Sequence, residues 1–206
     1  MTGEGQVEEA RLISIIGPPA VGKTTLAEAL AQRLPARLIR EDYAGNPFLA
    51  ASYTGSVQSR LPSQLYFLLS RVAQLSRADR PESGLTVSDY GFCQDPIYAR
   101  LRLNQDDFAA YSGILDRLAG AVHPPDAVIC LDASVATLSE RIDRRGRAYE
   151  AAMTTEFLAS MRQAYDDAAL RVNCPVIRVD CDATDILIEA EQVEITERLW
   201  EILGCK

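Results

Sequence analysis

An α/β fold built on a five-stranded parallel sheet, with helices on both faces, is predicted by three observations. Five short segments read as strands: Leu12 to Ile16, Arg37 to Arg40, Leu85 to Ser88, Ala127 to Leu131 and Val176 to Val179. Most of their residues are apolar, as expected of strands buried on both faces. Between them, apolar residues recur at helical spacing, and the alternation of strand with helix is the signature of parallel pairing through crossover connections.

The first strand runs directly into Gly17-Pro18-Pro19-Ala20-Val21-Gly22-Lys23-Thr24, which matches GxxxxGK[ST] in the strand-to-helix context that the phosphate-binding loop requires. Two glycines let the backbone curl so that its N–H groups face phosphate oxygens, and the following helix offers its positive end. Gly17, Ala20, Val21, Gly22, Lys23, Thr24 and Thr25 are therefore the expected phosphate-binding residues. Lys23 reaches the β- and γ-phosphates as a mobile cation, and the Thr24 hydroxyl suits Mg²⁺. A single-domain P-loop NTPase follows from this loop and the strand pattern.

Later elements follow in order. Thr25 to Leu30 continues as a good helix former. Arg37 to Arg40 ends on Glu41, and Gly45-Asn46-Pro47 makes a turn. Leu61 to Leu75, Phe108 to Val122 and Val135 to Arg145 carry helical periodicity. Pro81 to Gly84 and Pro124-Pro125-Asp126 supply turns ahead of the third and fourth strands, and the third strand ends on Asp89. A turn at Asp180 to Asp185 precedes a last helix, Ile186 to Gly204. Open parallel sheets bind ligands beyond the carboxyl ends of their strands, which draws attention to Glu41 and Asp89.

The 206 residues are 48% hydrophobic, enough for one substantial core, so residues 1–206 are read as one domain with 1–10 as a flexible tail. The acidic, polar opening is unlike a secretory signal, and no apolar run approaches the about 18 residues of a membrane span. The expectation is a cytoplasmic protein that does not engage a membrane. A net charge of −8 argues against a nucleic-acid-binding surface. Five cysteines, odd in number and without a CxxC pair, read as reduced packing residues. His123, the one histidine, lies in a turn, and no nucleophilic triad can be built around it.

Against that acidic background Arg141, Arg144, Arg145 and Arg147 stand within seven residues. A helix ending in Arg-Arg-Gly-Arg suits a lid that lays guanidinium groups over a transferring phosphoryl. A solvated helix face with i, i+4 pairs such as Glu140 with Arg144 is the simpler reading of the same residues.

The loop at Gly17 to Thr24, Glu41, Asn46 to Leu49, Gln64 to Arg71, Ser88-Asp89-Tyr90, Pro125 to Leu131 and Arg145 to Glu150, in this order and spacing, resemble the deoxynucleoside kinase family and its bacterial deoxyadenosine and deoxyguanosine kinase branch. The resemblance covers nearly the whole chain. It implies ATP-dependent, Mg²⁺-assisted transfer of the γ-phosphoryl group to the 5′-hydroxyl of a deoxynucleoside, purine favoured, by a protein that is usually a homodimer. Glu41 aligns with the general base, a role for which adjacent Asp42 could compete; Lys23, Arg145 and Arg147 align with the other catalytic groups. Tyr53 and Glu150 align with the pair holding the 3′-hydroxyl, Gln64 with the residue reading the base, and Asp89 with the acid that serves both nucleoside and metal. Tyr90 departs from the family, standing where many members carry an arginine. Phe48, Phe67, Phe92 and Phe157 could stack on a base, but packing in the core is the reading preferred for each. The implied dimer surface lies on Leu61 to Leu75 and Phe108 to Val122.

Two other functions fit parts of this pattern. A nucleoside monophosphate kinase of the thymidylate kinase type shares the loop and lid, but the acids after the second and third strands would repel a monophosphate. A non-catalytic P-loop nucleotide-binding module shares the loop alone, without need of base or lid.

Overall fold

The computed structural model describes residues 9–79 and 81–204. Strands β1 (Arg11–Ile16), β2 (Arg37–Ile39), β3 (Leu85–Ser88), β4 (Ala127–Asp132) and β5 (Val176–Asp180) form one sheet in the order β2-β3-β1-β4-β5, with every pairing parallel. The helices are α1 (Lys23–Arg33), α2 (Leu49–Tyr53), α3 (Arg60–Gln74), α4 (Asp95–Arg102), α5 (Gln105–Leu118), α6 (Val135–Arg145), α7 (Thr155–Ala169) and α8 (Glu189–Leu203).

Alternation along the strands sorts the core into two layers. Ile13 and Ile15 of β1, Val87 of β3 and Ile129 and Leu131 of β4 face Leu26 and Leu30 of α1, Leu138 and Ile142 of α6 and Ile195 and Leu199 of α8. The neighbouring positions Ile16, Val128 and Cys130 face α4 and α7 through Ile97, Met161 and Tyr165. Both faces of the sheet are thus covered, which explains why β1 and β4 lack polar alternation; β3 alternates, but its Thr86 and Ser88 are buried as well.

Boundaries differ from expectation where a side chain or the partner strand decides them. β2 ends at Ile39, because only Arg37, Leu38 and Ile39 meet partners on β3. The helix expected to run to Val122 ends at Leu118 and gives way to a 3₁₀ turn at Ala119–Ala121. Val122 then bridges to Ser76. The last helix starts at Glu189 because Ile186 is instead buried in the core, in contact range of Gly22. Periodicity did not single out α2, α4 or α7. The expected tail at 1–10 lies mostly outside the described residues, and Ala10 itself is buried.

The order β2-β3-β1-β4-β5 sends the connections after β1 and β3 in opposite directions, which opens a crevice between their carboxyl ends. The phosphate loop follows β1 and Asp89 follows β3, so both border it.

Candidate active site

A cavity of about 470 Å³ lies over this crevice and is lined at one end by Lys23 and Thr24 and at the other by Tyr53, Gln64 and Phe67. Two glycines shape the phosphate loop beside it, of which Gly22 lines the cavity and Gly17 does not. Gly17 has φ 149°, and a Cβ there would stand 2.4 Å from the Leu131 carbonyl oxygen. Gly22, the N-cap of α1, has φ 115°, and its Cβ would meet Ile186 Cδ1 at 2.4 Å. Only glycine meets both demands at either site.

Lys23 is 8% exposed and donates to the carbonyls of Gly17 at 2.7 Å and Pro18 at 2.9 Å. Burial pulls its pKa down to about 8 against the opposing pull of Glu41 and Asp89. Ala20, Gly22, Thr24 and Thr25 line the cavity with it. Val21 does not: its side chain is core, and its carbonyl accepts from Arg141 Nη1 at 2.9 Å.

Asp89 links three elements. One carboxylate oxygen accepts the Thr24 hydroxyl at 2.6 Å, and the other accepts the Glu41 backbone N–H at 2.8 Å. Burial raises its pKa although both hydrogen bonds favour the charged form. It lies beneath the cavity rather than on its wall, so the expected direct contact with a nucleoside is not what this geometry offers. Its place beside Thr24 suits a metal.

Glu41 lines the cavity with a side chain 6% exposed. It accepts from Arg71 and, at 3.2 Å, from Gln94 Nε2. Burial works to raise its pKa, but the Arg71 charge and hydrogen bonds from Tyr43 and Arg71 outweigh that and hold it below the ordinary carboxylate range. Asp42 is no competitor, because it turns to the Tyr66 hydroxyl and the Gly45 N–H.

Arg71 is the main residue that sequence reading missed. It is 4% exposed, donates to Asp95 Oδ1 at 2.5 Å as well as to Glu41, and lies near the rings of Phe67 (5.4 Å) and Tyr90 (5.5 Å). A signal existed: Arg71 follows Gln64 by seven residues on an apolar helix and so shares its face. Arg71 also corrects the reading of this end of the site as simply acidic, since the charge of Glu41 is balanced in place.

Gln64 is 4% exposed and borders the cavity, as does Phe67, a buried residue that serves both the core packing preferred for it and the cavity wall. Phe48, by contrast, is 40% exposed and is neither core nor cavity wall. Phe92 and Phe157 are partly buried packing residues. Tyr53 lies under Arg102, whose guanidinium stands 3.5 Å from the ring centroid, and its ring is 5.5 Å from that of Tyr149. Burial pushes the Tyr53 phenol up to about 12, so it stays a donor at neutral pH.

The arginine patch divides into two kinds of residue. Arg141 braces the phosphate loop and the Cys181 carbonyl, and Arg144 pairs loosely with Glu140 at 3.9 Å on an exposed face. Arg145 and Arg147 turn toward the end of the cavity lined by Tyr43, Tyr149 and Glu150. Arg145 gives Nε and Nη2 to the two oxygens of Glu150 at 2.9 and 2.6 Å. Arg147 donates to the Tyr149 hydroxyl at 3.2 Å and lies 5.2 Å from the centre of the Tyr43 ring.

Cys93, Cys130, Cys174 and Cys181 are free thiols, each with its pKa raised by burial; Cys205 lies outside the described residues. No helix among the described residues is long and apolar enough to cross a membrane.

Together the residues place a buried carboxylate, a phosphate loop and two guanidinium groups around one cavity, a set suited to activating a hydroxyl and stabilising a phosphoryl in transit. Comparison with known proteins agrees. The chain is 29% identical to a deoxyguanosine kinase of Bacillus subtilis over 90% of its own length and 93% of the relative's. It is 24% identical to a deoxyadenosine/deoxycytidine kinase of the same organism, over 93% and 92%. Its fold matches a deoxyadenosine kinase from M. mycoides, solved with dCMP and dCDP bound, with a TM-score of 0.81 at 24% identity, covering 93% of this chain and all of the other. The family model described as deoxynucleoside kinase matches residues 13–203, from the first strand to the last helix, and the chain belongs to that family.

Proposed function

We propose that this protein transfers the γ-phosphoryl group of ATP to the 5′-hydroxyl of a deoxynucleoside, with purines favoured. The observation that carries the reading is the chain of contacts from Thr24 through Asp89 to Glu41, which couples the phosphate loop to a buried carboxylate on the acceptor side of the same cavity.

In the reaction Glu41 takes the 5′-hydroxyl proton as that oxygen forms its bond to the γ-phosphorus. The bond from phosphorus to the bridging oxygen breaks, and ADP leaves with the electron pair. The low pKa of Glu41 keeps it ionised and ready to accept a hydrogen bond from the hydroxyl. Lys23, Arg145 and Arg147 offset the charge on the transferring group. Tyr53 and Glu150 hold the 3′-hydroxyl as donor and acceptor, and the Gln64 amide and the Arg71 guanidinium face the base, with Phe67 beside them. The purine preference is supported by the two Bacillus relatives, each named for a purine deoxynucleoside and one of them for deoxycytidine as well.

Mg²⁺ fits the residues present. The Thr24 hydroxyl and the Asp89 carboxylate are hard oxygen donors side by side, to which a nucleotide's phosphates would add the remaining ligands. When bound there, it would neutralise phosphate charge. A cytoplasmic homodimer belongs to the same proposal. Leu69, Leu101 and Ile114 expose apolar side chains on adjoining helices α3, α4 and α5, and sedimentation would report the pairing.

Phosphorylation measured with ATP and Mg²⁺ across the four deoxynucleosides, their ribonucleosides and thymidine monophosphate tests the reading. Transfer to purine deoxynucleosides first is expected; transfer only to thymidine monophosphate, or to no acceptor, would refute it.

A further inference from the structure

Glu150 carries two demands that draw on the same two carboxylate oxygens. Gly146 closes α6 with φ 66°, and the chain doubles back through a 3₁₀ turn at Ala148–Ala152. This returns Glu150 to Arg145, five residues earlier, in a fork: Nε to Oε2 at 2.9 Å and Nη2 to Oε1 at 2.6 Å. Arg147 Nη1 approaches the same Oε1 at 3.6 Å. The Glu150 side chain is 4% exposed and the Arg145 side chain 33%, so the acid is the fixed member and the guanidinium the movable one.

A guanidinium that gives two donors to a carboxylate has its charge largely balanced and its plane fixed by that partner. It has less to offer a phosphoryl group. A hydroxyl that donates to the same carboxylate draws on the same negative charge and pulls its oxygens toward the acceptor, which loosens the fork and frees donors of Arg145.

We propose that Glu150 is a positioning residue for Arg145: it reads the acceptor's sugar hydroxyl and, through the fork, sets how much of the guanidinium faces the transferring phosphoryl. This rests on the kinase reading above and deepens it. The sugar hydroxyl then acts on turnover as well as on binding, and acceptors without it bind but transfer slowly. Water, which cannot reproduce a nucleoside's placed hydroxyl, is a poor trigger for the same arginine, which limits idle ATP hydrolysis.

Steady-state kinetics with a 2′-deoxynucleoside and the matching 2′,3′-dideoxynucleoside test this in the unaltered protein, Glu150→Gln and Arg145→Lys. In the unaltered protein the dideoxynucleoside should lose about tenfold or more in kcat, the size of one hydrogen bond to a charged group. Glu150→Gln keeps a carbonyl for the hydroxyl but cannot form the ion pair, so the kcat gap between acceptors should shrink to about threefold or less, and acceptor-independent ATP hydrolysis should rise. Arg145→Lys lowers kcat for both acceptors, and its single ammonium cannot make the fork, so the gap should shrink there too; this residue is exposed enough that folding is not at stake. A gap that lies in KM, or that persists at full size in both variants, overturns the proposal while leaving the kinase reading intact. No transfer to either acceptor by the unaltered protein overturns both.

Discussion

Replacing Arg71 with methionine tests the electrostatic frame of the site. The Arg71 side chain is 5% exposed, between Glu41 at 6% and Asp95 at 1%, so Arg71→Met leaves two buried carboxylates without their cation. Breaking a buried pair by removing one partner costs about 3–5 kcal/mol. Protonation sets an independent ceiling. Neutralising one carboxyl of ordinary pKa near 4 at pH 7 spans about three pKa units, or about 4 kcal/mol at 1.36 per unit. Both routes meet at about 4 kcal/mol, measurable by urea unfolding at pH 7. The sign of the pH dependence follows. A buried carboxyl without its cation has a folded pKa above its unfolded value, so the penalty grows above pH 4 and shrinks as pH falls toward it. At pH 5 it should be about 1.4 kcal/mol. A loss below about 1 kcal/mol at pH 7, the size of a surface pair, or a loss equal at both pH values would refute the frame.

Other expectations bear on separate parts of the molecule. Gly17→Ala puts a Cβ 2.4 Å from the Leu131 carbonyl at φ 149°, so stability should fall by about 1–3 kcal/mol and ATP affinity by about tenfold or more, both readable by titration calorimetry and thermal melts. Leu138→Ala, at a fully buried position of the main core, should cost about 2–5 kcal/mol in urea without altering the KM for ATP. Burial raises the Cys93 thiol to about 12, so iodoacetamide at pH 8 should label it about a hundredfold or more slowly than in the unfolded chain, with the rate rising as pH climbs toward that value.

Much of this architecture was legible because its signals are local. The phosphate loop announces itself by spacing, β1 by an apolar run that only Ser14 interrupts, β4 by the unbroken run Ala127 to Leu131, and α6 begins and ends where periodicity places it. Glu41 and Asp89 could be picked out because parallel sheets put function at strand ends. What stayed hidden depends on distance in the chain. Arg71, Gln94 and Asp95 come together with Glu41 only when α3 and α4 pack over the sheet, and a single arginine on an apolar helix gives no sign of two acidic partners. The four arginines of 141–147 look alike in sequence. Their positions around α6 decide that Arg141 braces a loop, Arg144 meets water and Arg145 forks onto Glu150. α7 was missed because its small and polar residues dilute the apolar stripe of Leu158, Met161 and Tyr165.

The most direct test of the account is the single-turnover rate of γ-phosphoryl transfer from ATP to a saturating purine deoxynucleoside, compared between the unaltered protein and Glu41→Gln. The amide keeps the shape of the carboxylate but cannot take the 5′-hydroxyl proton, so the rate should fall by about 10²–10⁴-fold while both ligands still bind. A rate within about threefold of the original, with product still phosphorylated at the 5′ position, would contradict the assignment of Glu41 as the base.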